Sequence, residues 1–514
     1  MIMKQNPLKF LSFNLFAIAM TLTAGFTSCN KEDDNKVVVE NNSISPYKTP
    51  KYVFFFIGDG MSNTQINVTE AALNDVNFKL KSANLKSVGI GALNIRKFPV
   101  VGMATTHAED QYITDSAAAG TALASGFKTT VNTIGKNGDR TKNLKNMAEM
   151  AKEKGMKIGI VSSVSIDHAT PACFYAHTND RNDYQIIGEQ MINSGFDYFA
   201  GGSVLYNKYV GKTLLQYKAD AIAKGYKYVN TKADFNSLSK TSGKVIATLK
   251  RFDTSTLDGN ALPYALDLDI QASDDDKISL ADFTQKGIEI LDNEKGFFMM
   301  VEGGKIDWAC HANDVVTSTF DMISFDESVK KALDFYDKHK EETLIIITGD
   351  HETGGLTLGF SATDYANSFA MLNYQNISFQ EFSYIVKSWK TAGNKTFEQA
   401  LTDIKAAFGL GDATKGLALS SYETGLLRNS FIKSMGGTDT LLPEETKLHY
   451  GSYDPFTITV THVLNNKAGI DWTTYAHTAV PVPVFAIGQG QYEFSGYYDN
   501  TDLAKKIMTV AQFK

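Results

Sequence analysis

A chain of 514 residues is long enough for one large domain or two ordinary ones and for a substantial buried core. Its formal net charge of -7, with 50 Lys and Arg against 57 Asp and Glu, leaves no basic footprint and argues against a nucleic-acid-binding module. Three cysteines make no disulfide framework in a chain this long, so Cys173 and Cys310 are expected in the core or lining a pocket.

The N-terminus reads as an address. Two lysines within the first nine residues precede an uncharged, largely apolar run over residues 10–26, and the small residues Thr27 and Ser28 precede Cys29. This is the layout of a secretory signal peptide over residues 1–28, too short and wrongly flanked for a membrane span. Thr27-Ser28-Cys29 resembles the lipobox of bacterial lipoproteins, in which the Cys is acylated, although Phe26 stands where Leu is usual. The polar residues after it, to about residue 48, read as a solvated tether. The expectation is an exported protein of a Gram-negative cell envelope, lipid-anchored to the outer membrane and facing the periplasm or the surface. Its only membrane contact would be that anchor.

Beyond the tether, apolar runs alternate with helical patterns. Residues 52–57 run into Gly58-Asp59-Gly60, and a helix is expected over residues 141–154. Residues 157–164 run into Ser165-Ile166-Asp167-His168. Residues 204–272 fit no alternation and read as a peripheral insertion. A helix over 280–291 precedes the run 296–301, which ends in Glu302-Gly303-Gly304; a further helix is expected over 324–340. The run 343–347 ends in Thr348-Gly349-Asp350-His351. Residues 362–471 read as an inserted cap with helical and strand-like pieces, the latter including 457–463, and residues 482–487 read as a last strand. Unbroken apolar runs suit strands buried on both faces, and their alternation with helices predicts an α/β, three-layer sandwich around a mostly parallel sheet. In such sheets ligands bind beyond the carboxyl ends of the strands, where the polar turns fall.

Those turns carry the chemistry. Asp59 alone fits a helix N-cap as well as a ligand. Ser116, in Thr114-Asp115-Ser116-Ala117-Ala118-Ala119-Gly120, opens an Ala-rich helix at the end that favours an anion, though an ordinary capped helix has the same look. Asp307 and His311 share a helix face and suit one metal; Glu302 and Asp350-His351 stand at strand ends, and His477 follows the cap. Mixed oxygen and imidazole donors suit Zn²⁺, and all-oxygen sets suit Mg²⁺.

The ordered set Ile57-Gly58-Asp59-Gly60-Met61, Thr114-Asp115-Ser116-Ala117-Ala118, His168-Ala169-Thr170-Pro171, Glu302-Gly303-Gly304-Lys305-Ile306-Asp307, Thr348-Gly349-Asp350-His351 and Ala476-His477-Thr478 resembles the alkaline phosphatase family. The resemblance spans about residues 52–488 and implies one phosphatase domain over residues 49–514. It implies hydrolysis of small phosphate monoesters at alkaline pH through a phosphoserine at Ser116. By the same resemblance, two zinc ions would be held by Asp307, His311 and His477 and by Asp59, Asp350 and His351, the second set with the Ser116 oxygen. One magnesium ion would be shared by Asp59, Thr170 and Glu302. Arg181 would grip the phosphate, its planar fork matching two oxygens.

His168 stands where some members have Asp and Trp308 where some have Lys or His, and a water-mediated role near the third metal or the phosphate is expected of each. Members are commonly dimers, so a homodimer is expected by analogy. His107, His177, His339, His449 and His462 match no ligand position and are expected in capping, core or surface roles. The aromatic segment 492–498 is expected to pack. Two rival readings remain: a phosphodiesterase or phosphonate hydrolase of the same superfamily, and a non-catalytic surface lipoprotein that binds phosphate or glycans.

Overall fold

The computed structural model describes residues 47–513 apart from 76–77, 79–91, 206–212, 254–256, 272 and 439–440. The expected leader, Cys29 and all but the last two residues of the tether lie outside the described residues.

Among the described residues the strands are β1 (Tyr52–Gly58), β2 (Val100–Ala104), β3 (Lys157–Ser162), β4 (Tyr198–Ala200), β5 (Tyr226–Val229), β6 (Lys244–Ala247), β7 (Phe297–Glu302), β8 (Thr343–Gly349), β9 (Glu352–Thr353), β10 (Thr357–Leu358), β11 (Ile470–Asp471), β12 (His477–Thr478), β13 (Val482–Gly488) and β14 (Gly496–Tyr498). Ten of them form one sheet in the order β14-β2-β13-β8-β1-β7-β3-β4-β6-β5. Only β13 runs antiparallel to its neighbours.

The apolar runs are apolar throughout because both faces of the sheet are covered. Tyr52, Phe54 and Phe56 of β1 enter one core with Phe297, Met299 and Val301 of β7. The alternate residues Val53, Phe55 and Ile57 enter the other with Phe298 and Met300. The two-residue period of a strand thus feeds two separate cores, and each large side chain so buried contributes roughly 1.5–3 kcal/mol. Helices Leu280–Leu291 and Val315–Tyr336 cover the first face; Ser116–Ser125, Met147–Glu153 and Asn500–Val510 cover the second.

Several boundaries differ from expectation. The helix expected over 141–154 is only Met147–Glu153, because Asn146 caps it by accepting from the Glu149 N–H. The helix expected over 324–340 starts earlier, at Val315, where Asp314 caps it, and ends at Tyr336. Residues 204–272 are no mere peripheral insertion: β5 and β6 pair in parallel with the main sheet.

The insertion 362–471 contains helices Phe379–Ala392, Phe397–Phe408, Ser421–Ser434, Pro443–Tyr450 and Pro455–Lys467. Its strand-like run 457–463 is helical. Pro455 opens that helix, Asp454 caps the Thr457 N–H, and Phe456, Val460, Val463 and Leu464 are buried at helical spacing, which overrides the β-branched preference for strand. No helix of the described residues is long and apolar enough to cross a membrane.

Candidate active site

Parallel register assembles the site. Ile57 of β1 is level with Thr348 of β8 on one side and Glu302 of β7 on the other. Asp59, Glu302, Asp350 and His351 are therefore delivered together at the carboxyl end of the sheet. Asp59 does not cap a helix: the next one, Asn63–Asn74, has Ser62 at its N-cap. The turn after β3 supplies His168, followed by Thr170 on the short helix Ala169–Ala172. Asp307 and His311 lie one turn apart on Lys305–His311, with His311 Nε2 3.3 Å from Asp307 Oδ2. His477 arrives on β12, paired antiparallel with β9.

Ser116 is the first residue of its helix, 2% exposed, with its Oγ 3.3 Å from His351 Nε2. Asp115 caps that helix by accepting from the Ala118 N–H at 3.0 Å. Small residues hold the helix in place: a Cβ on Gly120 would sit 3.0 Å from Cys173 Sγ and 3.5 Å from the Thr170 backbone. Cys173 and Cys310 are both buried and free.

Among the described residues, three groups of donor atoms come within 4.8 Å of one another: Asp307, His351 and His477; Asp59, Asp350 and His351; and Asp59, His168 and Glu302. The carboxylates share a pattern. Gly60 and His351 N–H groups donate to Asp350 Oδ1, the Ser162 hydroxyl donates to Glu302 Oε2, and the Thr170 hydroxyl approaches Asp59 Oδ2 at 3.5 Å. The other oxygen of each, Asp350 Oδ2, Glu302 Oε1 and Asp59 Oδ1, is buried and accepts no hydrogen bond among the described residues. Buried charge left this way is costly unless it meets a counter-charge or a metal.

Electrostatics agree. Burial, then the charges of Asp350, Asp307 and Glu302, push Asp59 well above the usual carboxylate range. Burial and the charge of Asp307 do the same to Asp350, and burial lifts Glu302 to about 7. For Asp307, burial is outweighed by His311 and His477, which hold it below the ordinary value. Burial, with mutual repulsion among the imidazoles, lowers His351 and His477 and favours the neutral, ligating form. Backbone carbonyls orient the rings: His477 Nδ1 donates to Thr114 O at 2.7 Å and His311 Nδ1 to Tyr475 O at 2.6 Å, which turns the two Nε2 atoms toward each other and toward Asp307.

All twelve site residues expected from the sequence fall in this region, with differences in grouping. His351 groups with Asp307 and His477, its ring stacked on His477 at 3.6 Å, while His311 Nε2 lies 3.1 Å from His477 Nε2. His168 groups with Asp59 and Glu302, their donor atoms within 4.8 Å of one another, a spacing that a bridging water or ion would span. Arg181 donates to Asp115 Oδ2 at 3.0 Å, and its Nη2 lies 3.4 Å from His168 Nε2. Trp308 stands at the edge of the site, its ring 5.7 Å from that of His168.

Several site neighbours escaped the sequence reading. Asp115 stood in a quoted motif without a role as the partner of Arg181. Thr353 donates to Asp307 Oδ1 at 2.5 Å. Glu352 is 2% exposed and accepts from Gln65 Nε2 at 2.8 Å, from the Gly355 and Leu356 N–H groups, and from the Thr478 hydroxyl. One carboxylate thus ties together the segments bearing Asp59, His351 and His477. Its position directly after Asp350-His351 was the only signal. The five remaining histidines take other roles; His177, for example, bridges Gly135 O and Glu149, and His462 lies 3.0 Å from Asn313 Oδ1.

The family described as Alkaline phosphatase matches residues 50–513. Alkaline phosphatase 4 of Bacillus subtilis is 30% identical over 96% of this chain and 95% of its own length. A cold-active alkaline phosphatase from the psychrophile Shewanella sp. superposes with a TM-score of 0.71 at 26% identity, covering 90% of this chain and 99% of that one. A histidine-to-glutamate variant of the alkaline phosphatase of the Antarctic bacterium TAB5, with Mg bound in its M3 site, superposes with a TM-score of 0.60 at 26% identity, covering 91% and 99%.

Proposed function

The chain belongs to the alkaline phosphatase family and is a metal-dependent phosphomonoesterase, and from that premise we propose that it works through a phosphoserine at Ser116 within a three-metal site. The observation that carries this reading is the set of buried carboxylates, each with one oxygen held by the protein and one left without a donor, around a hydroxyl at a helix N-terminus.

The residues fit cations. Asp307, His311 and His477 would hold one zinc ion; Asp59, Asp350 and His351 would hold a second beside Ser116; Asp59, Thr170 and Glu302, with His168 close by, would hold magnesium. When bound, these ions would neutralise the carboxylate cluster and stabilise charge on the entering and leaving oxygens. Ser116 Oγ forms a bond to phosphorus as the ester P–O bond breaks, and the alcohol departs. Water then cleaves the Ser116 phosphoester, restoring the hydroxyl and releasing phosphate. Arg181, held by Asp115, presents its fork to two non-bridging oxygens throughout. The Ser116 helix adds its N-terminal dipole to the same charge.

The test is p-nitrophenyl phosphate hydrolysis at pH 8 to 10 by wild type and Ser116→Ala, before and after chelation and re-addition of zinc and magnesium, with bis-p-nitrophenyl phosphate in parallel. Turnover of the monoester, loss on chelation, recovery with metal and near-abolition in the variant are expected. An acid-quenched phosphoryl adduct on Ser116 identifies the intermediate. Faster cleavage of the diester defeats the monoesterase reading, and full activity in Ser116→Ala defeats the nucleophile. We further propose export as a lipoprotein acylated at Cys29 and assembly as a homodimer; the first rests on the N-terminal sequence and the second on family analogy.

A further inference from the structure

The helix Lys305–His311, which carries Asp307 and His311, runs out through Ala312 to Asn313, where the backbone turns left-handed with φ at +50°. Glycine is the usual residue at that point past a helix, and asparagine is an alternative that tolerates the conformation. The turn itself needs only backbone: the Asn313 N–H donates to Cys310 O at 3.0 Å. What asparagine adds is an amide, on a residue 2% exposed. Its Nδ2 donates to Cys310 O at 2.9 Å and to Thr474 O at 3.0 Å. With both amide protons given to carbonyls, Oδ1 is the acceptor, so His462 Nε2, 3.0 Å away, carries the proton and donates. The Asn313 carbonyl accepts from Asn465 Nδ2 at 2.7 Å.

These bonds join three segments. Thr474 lies on the segment returning from the cap, just ahead of Tyr475, whose carbonyl takes the His311 Nδ1–H, and of His477. His311 Nε2 and His477 Nε2 face each other at 3.1 Å and lie 3.3 and 3.6 Å from the Asp307 oxygens. The Asn313 amide therefore clamps the end of the helix bearing Asp307 and His311 to the segment bearing His477. The third segment is the cap helix Pro455–Lys467. Ile458, His462 and Asn465 recur there at i, i+4 and i+7, one face of a helix, and Ile458 packs with Ala309 and Ala312. Phe456, Val460 and Val463 take the opposite side, in the core that holds Phe382 and Phe431. The clamp and the cap's own packing thus use different faces of one helix.

We propose that Asn313 is a positioning residue for the Asp307–His311–His477 set: its amide, oriented by His462 of the cap, fixes His311 against His477 and so sets how tightly that set holds zinc. This inference rests on the three-metal reading proposed above and gives the cap a part in metal retention.

The test measures zinc stoichiometry and zinc affinity, by competition with a chromophoric chelator, in the wild type, Asn313→Gly, His462→Phe and His462→Gln. Asn313→Gly keeps the left-handed turn and deletes only the amide, and one of the two zinc ions is expected to weaken about 10–100-fold while the other is held as in the wild type. His462→Phe keeps a ring but no donor, and the same zinc ion is expected to weaken about fivefold. His462→Gln returns an N–H donor and is expected to bind within about twofold of wild type. A role in packing alone predicts the reverse order, because Phe is closer to His in shape than Gln is. Should Asn313→Gly fail to fold, the His462 pair decides. Wild-type zinc affinity in folded Asn313→Gly, or equal loss in both His462 variants, overturns the positioning role while two zinc ions on the wild type leave the metal reading standing. A wild type that holds no zinc overturns the metal reading and the positioning role together.

Discussion

The floor of the site and the cap over residues 362–471 are built on opposite terms. The floor crowds Asp59, Glu302, Asp307 and Asp350 into a buried space with three carboxylate oxygens unsatisfied. The cap surrounds an aromatic core, in which Phe382, Phe408, Phe431 and Phe456 pack ring against ring, with helices whose ends are satisfied in the ordinary way. Ser378, Thr396, Ser420 and Asp454 each accept from a backbone N–H of the first helical turn. The cap is organised for its own stability. The floor gives up stability for a charge arrangement that only a cation relieves, so substitutions in the two regions should separate chemistry from folding.

Asp59→Asn presses that contrast hardest. Activity with zinc and magnesium present is expected to fall roughly 10³-fold, because a charge shared by two candidate metal sets is lost. Metal-free Asp59→Asn is nevertheless expected to melt above metal-free wild type, since burial and three neighbouring carboxylates oppose the charge that is removed. With metal bound the order reverses. Thermal melts of chelated and reloaded protein read both effects, and a lower melting point in both states would break the comparison.

In the cap, Phe456→Ala removes a buried ring that contacts Phe382, Trp389 and Phe431 and should cost about 3–5 kcal/mol in denaturant unfolding. Zinc retention against a chelator should stay at the wild-type level. Loss of zinc in step with loss of stability would show that the two regions are not separable.

Glu352→Gln sharpens the floor side. Glu352 touches none of the proposed metals but ties together the segments that present their ligands, so metal affinity should drop about 10–100-fold in chelator competition. The metal-free melting point should move little, and the Gln65→Glu, Glu352→Gln exchange should recover part of the affinity. Unchanged affinity would remove Glu352 from the positioning network.

The smallest effect is expected from Ser420→Ala, which deletes an exposed cap hydrogen bond to the Glu423 N–H and should cost about 1 kcal/mol with no change in activity.

Legibility in the sequence follows the range of the interaction. Strands β1, β3, β7, β8 and β13 were readable because each is an apolar run buried on both faces and ended by a polar turn. β5 and β6 were not, because four-residue strands near one edge of the sheet carry too little apolar pattern to stand out from a loop. The run 457–463 was misread because β-branched residues favour strand locally, while the fold buries them at helical spacing.

By itself the sequence determined the layer architecture and the strand ends at which Asp, Glu and His side chains gather, while Thr170 and Arg181 were marked only by the resemblance to the family. These are local signals: periodicity sets which face is buried, and a polar turn after an apolar run marks where a strand must stop. The tertiary structure alone decided that His351 stacks on His477, that Asp115 holds Arg181, and that Glu352 joins three ligand-bearing segments. Those relations link residues far apart in the chain, often through backbone carbonyls and N–H groups that every residue possesses. No residue type announces them, and they exist only once the register of the sheet has brought the segments together.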